Sequence, residues 1–251
     1  MLKGFSSMKN WILSDKGRWI RLGGWMALFA ALTLVYGREI LKFRNHFGDN
    51  DWDSLIFYHQ YWNISLFSFK QFPFWNPYIA GGISFLARPD MSFFPFPLLF
   101  VPAFGVVAGL KFMALFYIFL AMAGMFFLCR YLGISALAAA VGAVIFSMSG
   151  CFSSRIVLGH FGWLSAAYLP WIFLFYFKGL KKVRYLFVSA IFLSFVAIEG
   201  SYVFAFTLIG LGIFSILFSI QKKTFRPIAG AGAVFLLCVL LAGPKLFPMI
   251  E

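Results

Sequence analysis

Long apolar stretches separated by short charged segments dominate the chain. The first runs from Leu22 to Gly37 and the second from Phe112 to Cys129, while Ser135 to Phe152 lies within the third. Phe161 to Phe177, Tyr185 to Ile198, Tyr202 to Ile220 and Pro227 to Pro244 follow. A helix needs about 20 apolar residues, within a range of about 17 to 25, to cross the hydrocarbon layer. The pattern predicts about seven transmembrane helices. The shortest needs snorkelling flanks or a thinned bilayer. Residues 38–110 form the one long segment between spans. Within it, Leu55, Tyr58, Trp62 and Leu66 repeat at helical spacing. This predicts a helix over Asp53 to Phe69, lying at the membrane interface with Asp53 as its N-cap. The stretch FPFWNPYIAGGISFLARPDMSFFPFP follows, and its prolines (Pro73, Pro77, Pro89, Pro95, Pro97) forbid a long regular helix. Its rings, Trp75 and Tyr78 among them, suit the headgroup region.

Composition agrees with this pattern. The chain is 62% hydrophobic and only 12% charged, against about 25% charged in a soluble domain. The fold class is an all-α membrane protein, a single transmembrane domain over residues 1–251 with a long extracytoplasmic first loop. The net charge of +13 would suggest nucleic acid in a soluble protein. Here the charges lie between spans, so the lipid bilayer is the expected partner and nucleic acid is not. With a cytoplasmic N-terminus, thirteen of the 21 Lys and Arg fall inside, opposed there by Asp15 alone. The other seven acids fall outside. That asymmetry sets the orientation. No small-x-small site precedes Gly37, so the first span reads as an uncleaved anchor in the inner or plasma membrane. Cys129, Cys151 and Cys238 have no pairing or metal spacing and read as apolar filler.

The scarce acids are not spread evenly. Asp49, Asp51 and Asp53 fall within five positions, beside Trp52. In the expected topology they share one side with Arg88, Lys111, Arg155, His160 and Glu199. Tyr185 to Ile198 is 14 residues, about 21 Å at 1.5 Å per residue against a core of about 30 Å. Glu199 is therefore expected below the outer surface, where a carboxylate needs a wet cavity or a partner. Together these residues predict a polar recess opening outward. Plainer roles exist for each: solvated or capping aspartates, a hydrogen-bonded interfacial His160, snorkelling Arg155 and Lys111, and a tight turn at Glu199. His46 and His59 have no partner spacing. Asn63-Ile64-Ser65 matches a glycosylation sequon.

The loop DWDSLIFYHQYW, followed by QFPFWNPYIAGGISFLARPD and FFPFPLLF, resembles the first outer loop of the YfhO-like group of bacterial multi-spanning proteins. These belong to the GT-C class of lipid-linked-sugar glycosyltransferases. The likeness continues through CRYLGISALAAAVGAVIFSMSGCF and GHFGWLSAAYLPWIFL, roughly residues 48–175, with a weaker echo at GPKLFPMIE. The class places its catalytic acid in the first outer loop, which maps onto Asp51 or Asp53. Its members normally have more spans, so the resemblance also implies that this chain corresponds to part of a longer polypeptide.

The implied reaction moves a sugar from a polyprenyl-phosphate donor to an extracytoplasmic acceptor. It needs a carboxylate base at the acceptor hydroxyl and cations at the departing phosphate. Asp51 or Asp53 would be the base. Arg155, His160, Lys111 and Arg88 are the candidates at the phosphate. Trp52, Trp62 and Trp75 would stack on sugar or exclude water. In an extended segment Asp51 and Asp53 would point the same way. They would then share Mg or Mn, with Glu199 as a distant third ligand. Two alternatives use the same recess or none: a transporter or flippase of lipid-linked sugars, and a non-catalytic membrane subunit.

Overall fold

A computed structural model describes residues 16–42, 48–85, 88 and 97–249. Its helices are α1 (Lys16–Tyr36), α2 (Arg38–Lys42), α3 (Trp52–Phe67), α4 (Pro97–Phe104), α5 (Val106–Tyr131) and α6 (Ala136–Ser147). They continue as α7 (Gly150–Val157), α8 (Leu169–Gly179), α9 (Arg184–Glu199), α10 (Ser201–Lys222) and α11 (Arg226–Leu246). A 3₁₀ segment, Phe161–Tyr168, leads directly into α8. The architecture is that of an all-α membrane protein.

Five helical stretches are long and apolar enough to cross a membrane: Trp19–Tyr36, Val106–Tyr131, Ala136–Val157, Tyr202–Lys222 and Arg226–Leu246. The other two expected spans are helical but shorter. Phe161 to Phe177 is split between the 3₁₀ segment and α8. The α9 helix has 16 residues, about 24 Å at 1.5 Å per residue and short of the hydrocarbon core. The third span is broken between α6 and α7, at Met148 and Ser149.

Small residues explain how the bundle closes. Ala139, Ala140 and Ala143 of α6 are buried, and α6 packs on α5. Beside α5, the Trp171 indole sits against Gly124 and donates to Leu120 O at 3.0 Å. Close approach through Ala and Gly is the usual basis of helix association in lipid. Conversely, Ile209, Ile213, Ile216, Leu217 and Ile220 of α10 and Leu236 and Leu240 of α11 are exposed. Apolar side chains facing outward along whole helices are consistent with a bilayer around them.

The bundle has two distinct ends. At one, Lys178 and Lys181 lie 5.8 and 5.5 Å from the Tyr131 ring, and Tyr176 donates to Pro227 O at 2.8 Å. This is the end rich in Lys and Arg. The opposite end gathers residues 48–51, 85, 88, 157–163 and 199–203.

Two local expectations are corrected. Helix α3 begins at Trp52, so Asp51 and not Asp53 occupies the N-cap position, without a side-chain cap bond. Asp53 lies in the first turn, where its charge suits the helix dipole. The rings Trp52, Tyr61 and Trp62 are buried within the protein. Tyr61, Trp62 and Phe85 form a separate small core with Tyr58, Leu66 and Ile83 around it. The WNPY–GG stretch is a hairpin: Trp75 pairs with Ser84 and Asn76 with Ile83, antiparallel. Pro89, Pro95, Phe93, Phe94 and Phe96 lie outside the described residues.

Candidate functional site

A cleft of about 740 Å³ opens at the end opposite the basic one. Asp51, Arg88, Arg155, His160 and Glu199 all line it, joined by Tyr58, His59, Trp163 and Tyr202. Its geometry follows from how α7 ends. Gly159 takes a left-handed φ of +75°. His160 N donates to Arg155 O at 2.9 Å, and Gly159 N to Ile156 O at 3.3 Å. This pair of bonds is a Schellman motif, which places a glycine just past the helix end. It also fixes His160 close to Arg155, so both reach the same cleft.

The last carbonyls of α7 would otherwise be orphans. The segment that precedes α3 satisfies them. Asp49 N donates to Val157 O at 2.8 Å and Asp51 N to Leu158 O at 3.1 Å. The Trp52 indole donates to Ile156 O at 2.7 Å. Asn50, at a φ of +61°, makes the turn between them. The acidic loop is therefore docked on a helix terminus rather than solvated at random.

This docking brings Asp51 Oδ2 to 3.1 Å from His160 Nε2. On the other side of the ring, Arg155 Nη1 lies 3.0 Å from His160 Nδ1. A guanidinium only donates, so Nδ1 accepts and the proton sits on Nε2, donating to Asp51. Asn50 Nδ2 is recorded 3.2 Å from the same Nε2. With the proton there, the amide oxygen is the atom that faces it. Arg155 also stacks on Trp163, its Cζ 4.3 Å from the ring centroid. The Asp51 side chain is 59% exposed, and exposed pairs contribute about 0–1 kcal/mol. The contact therefore orients Asp51 more than it stabilises the fold.

Glu199 closes the cleft from below. It is 1% exposed. Tyr168 donates to Oε1 at 3.0 Å, and Tyr117 donates to Oε2. Both carboxyl oxygens thus have partners, as a buried carboxyl requires. Arg88 lies over the Tyr58 ring, 4.7 Å from its centroid. The buried Lys245, at the end of α11, donates to the backbone oxygens of Phe85 and Arg88. It ties the Arg88 segment to the bundle.

Some expected site residues lie elsewhere. Asp53 is exposed one residue inside α3 and does not line the cleft. Lys111 is buried within α5, off the cleft lining. Trp52 is buried edge-on to Phe161, with ring centroids 5.2 Å apart. Trp75 is 55% exposed on the hairpin. Because the chain turns at Asn50 and then enters a helix, Asp51 and Asp53 are not on an extended strand. With Glu199 held by two tyrosines, these carboxylates do not fit a shared Mg or Mn. Among the described residues no three of His, Cys, Asp and Glu converge as metal ligands.

Sequence reasoning set His59 aside, and it lines the cleft. Residue 59 is four positions from Leu55 and three from Trp62, on the inward side of α3, which was the available signal. Nδ1 lies 2.8 Å from Leu55 O. Burial pushes the imidazole down to about 4, against a smaller opposing effect of that backbone bond. Between about pH 6.5 and 4 the unfolded chain binds a proton there that the fold refuses. Stability therefore falls as pH drops through this window, by about 3 kcal/mol in full. In detergent, the stability advantage of wild type over His59→Phe is expected to shrink by that amount between pH 7 and 4. An advantage that stays constant with pH would contradict the assignment.

The chemistry this arrangement offers is that of a directed carboxylate, two guanidinium groups and aromatic walls at one end of a membrane bundle. No family model, curated protein or solved structure matches the chain.

Proposed function

We propose that the chain is an integral membrane glycosyltransferase that moves a sugar from a polyprenyl-phosphate donor to an acceptor hydroxyl. The observation that carries this is the series Asp51–His160–Arg155, linked at 3.1 and 3.0 Å within one cleft. Asp51 is the base. It takes the acceptor proton as that oxygen attacks the anomeric carbon. The bond from that carbon to the donor phosphate oxygen breaks, and the electron pair leaves with polyprenyl phosphate. Arg155 and Arg88 meet the charge that develops on the leaving oxygens. His160 holds Asp51 in place and is kept in one tautomer by Arg155. A single displacement of this kind inverts the anomeric centre.

The setting supports the same reading. A cleft at the end of a lipid-embedded bundle admits a donor whose tail stays in the bilayer. The charge asymmetry along the sequence supports an outward orientation of this end. In that topology all seven apolar segments cross, with α9 and the 3₁₀–α8 segment spanning a locally thinned layer. The test is incorporation of purified protein into liposomes holding a radiolabelled polyprenyl-phosphate sugar with a panel of acceptors. Formation of a new, inverted glycosidic bond is expected. Movement of the intact donor between leaflets with no bond formed would replace the transferase with a flippase.

A further inference from the structure

Two buried polar atoms at the cleft have no hydrogen-bond partner: His59 Nε2 on α3 and Arg155 Nε on α7. Trp62, Asn76 and Ser219 carry similar atoms, but none of these residues lines the cleft. Buried polar groups are almost always satisfied, so an orphan beside a cavity asks for an explanation. His59 is 2% exposed, and leaving such an atom unpaired costs about 1–3 kcal/mol.

Tautomer chemistry says what would satisfy each. The Leu55 carbonyl only accepts, so His59 Nδ1 carries the proton and Nε2 is a bare acceptor. It calls for a donor. Arg155 Nε–H calls for an acceptor oxygen. The two ask for different groups, a hydroxyl and an anionic oxygen. We propose that His59 is a specificity-determining residue that accepts a hydrogen bond from a hydroxyl of a polyol ligand whose anionic oxygen is held by Arg155. This rests on the sugar-phosphate role given to the cleft above and names the sugar's contact within it. Nε2 is closed to solvent, so the proposal requires the surrounding side chains to shift as the hydroxyl binds. The rings of Tyr58 and Trp163 give the cleft aromatic walls between its charged and polar groups.

The experiment uses full-length protein in nanodiscs with ¹⁵N-labelled histidine. The chain has 3 histidines, so His59→Asn assigns the signal. Methyl β-glucoside, methyl β-galactoside and methyl α-mannoside are titrated as polyols without phosphate, and dodecyl phosphate as phosphate without sugar. At least one glycoside should shift the His59 Nε2 resonance, and dodecyl phosphate should not. In His59→Asn the amide still donates to Leu55 O. It should bind that glycoside about three- to tenfold more weakly, the effect of one hydrogen bond. Its affinity for dodecyl phosphate should not change. His59→Gln, which carries an acceptor near the Nε2 position, should recover part of the loss. The inference is overturned if no glycoside moves the Nε2 signal, or if His59→Asn weakens both probes alike. Glycoside binding through His59 without any sugar transfer would remove the transferase and leave this inference standing. Transfer that is indifferent to His59→Asn would do the reverse.

Discussion

Replacing Asp51 by Asn is expected to lower the proposed sugar transfer by about 10²- to 10⁴-fold, the contribution of a positioned general base. The same change at Asp53 is expected to leave the rate at wild-type level. The two residues are separated by Trp52 alone and differ in what surrounds them. Asp51 lines the cleft with its carboxylate 3.1 Å from His160 Nε2. Asp53 is exposed in the first turn of α3. Asparagine keeps an oxygen for the His160 N–H, so the loop remains docked and only proton acceptance is lost. Because Asp51 is largely exposed, the substitution moves the thermal midpoint by no more than a few degrees. The loss should therefore appear in kcat at unchanged KM, as expected for an interaction made in the transition state. Full activity in Asp51→Asn, or equal loss in Asp53→Asn, would remove the base from the proposed mechanism. Assays in inverted and right-side-out vesicles report at the same time which face carries the cleft.

The choice between these two aspartates was not legible in the sequence, and the reason is local. A two-residue period assumes extended backbone. The chain instead reverses at Asn50, with φ at +61°, and starts a helix at Trp52. That turn depends on carbonyls of α7, more than 100 residues later in the chain. By contrast, the apolar runs were legible because lipid crossing imposes length and hydropathy on contiguous residues. The two runs below full length, Phe161–Tyr168 with α8 and the 16-residue α9, mark where contiguity stops being a sufficient guide. The gathering of Asp51, Arg155, His160 and Glu199 at one end was legible from charge geography. Which of the cations would face the cleft was not. Lys111 is turned into the bundle, and Lys245 is spent on the Phe85 and Arg88 carbonyls. His59 was passed over because a histidine on an apolar face has no sequence partner. Its meaning comes from the orphaned Nε2, a property of packing alone.

Gly159→Ala is expected to destabilise the protein by about 2–4 kcal/mol and to abolish transfer together with the Asp51–His160 contact. Gly159 is the left-handed residue that ends α7, and a side chain at its φ of +75° costs about 1–2 kcal/mol. The steric demand adds to this. A Cβ there would stand 2.6 Å from Trp52 N and 2.8 Å from the Asp51 carbonyl carbon. Backbone cannot rotate aside as a flexible side chain can. Relief requires the loop to lift, which breaks Asp51 N to Leu158 O and the Trp52 indole to Ile156 O. Gly133 supplies the control. Its φ is +90°, yet an added Cβ there meets nothing within 4 Å. Gly133→Ala should therefore cost only the conformational part, about 1–2 kcal/mol, and leave transfer intact. Thermal unfolding in detergent measures the first difference, and the ¹⁵N signals of His160 report whether Asp51 still accepts its proton. Equal destabilisation by both substitutions, with the His160 signals unmoved in Gly159→Ala, would mean that the segment before α3 is not seated on the end of α7. The base would then have no fixed position relative to the cations it is proposed to work with.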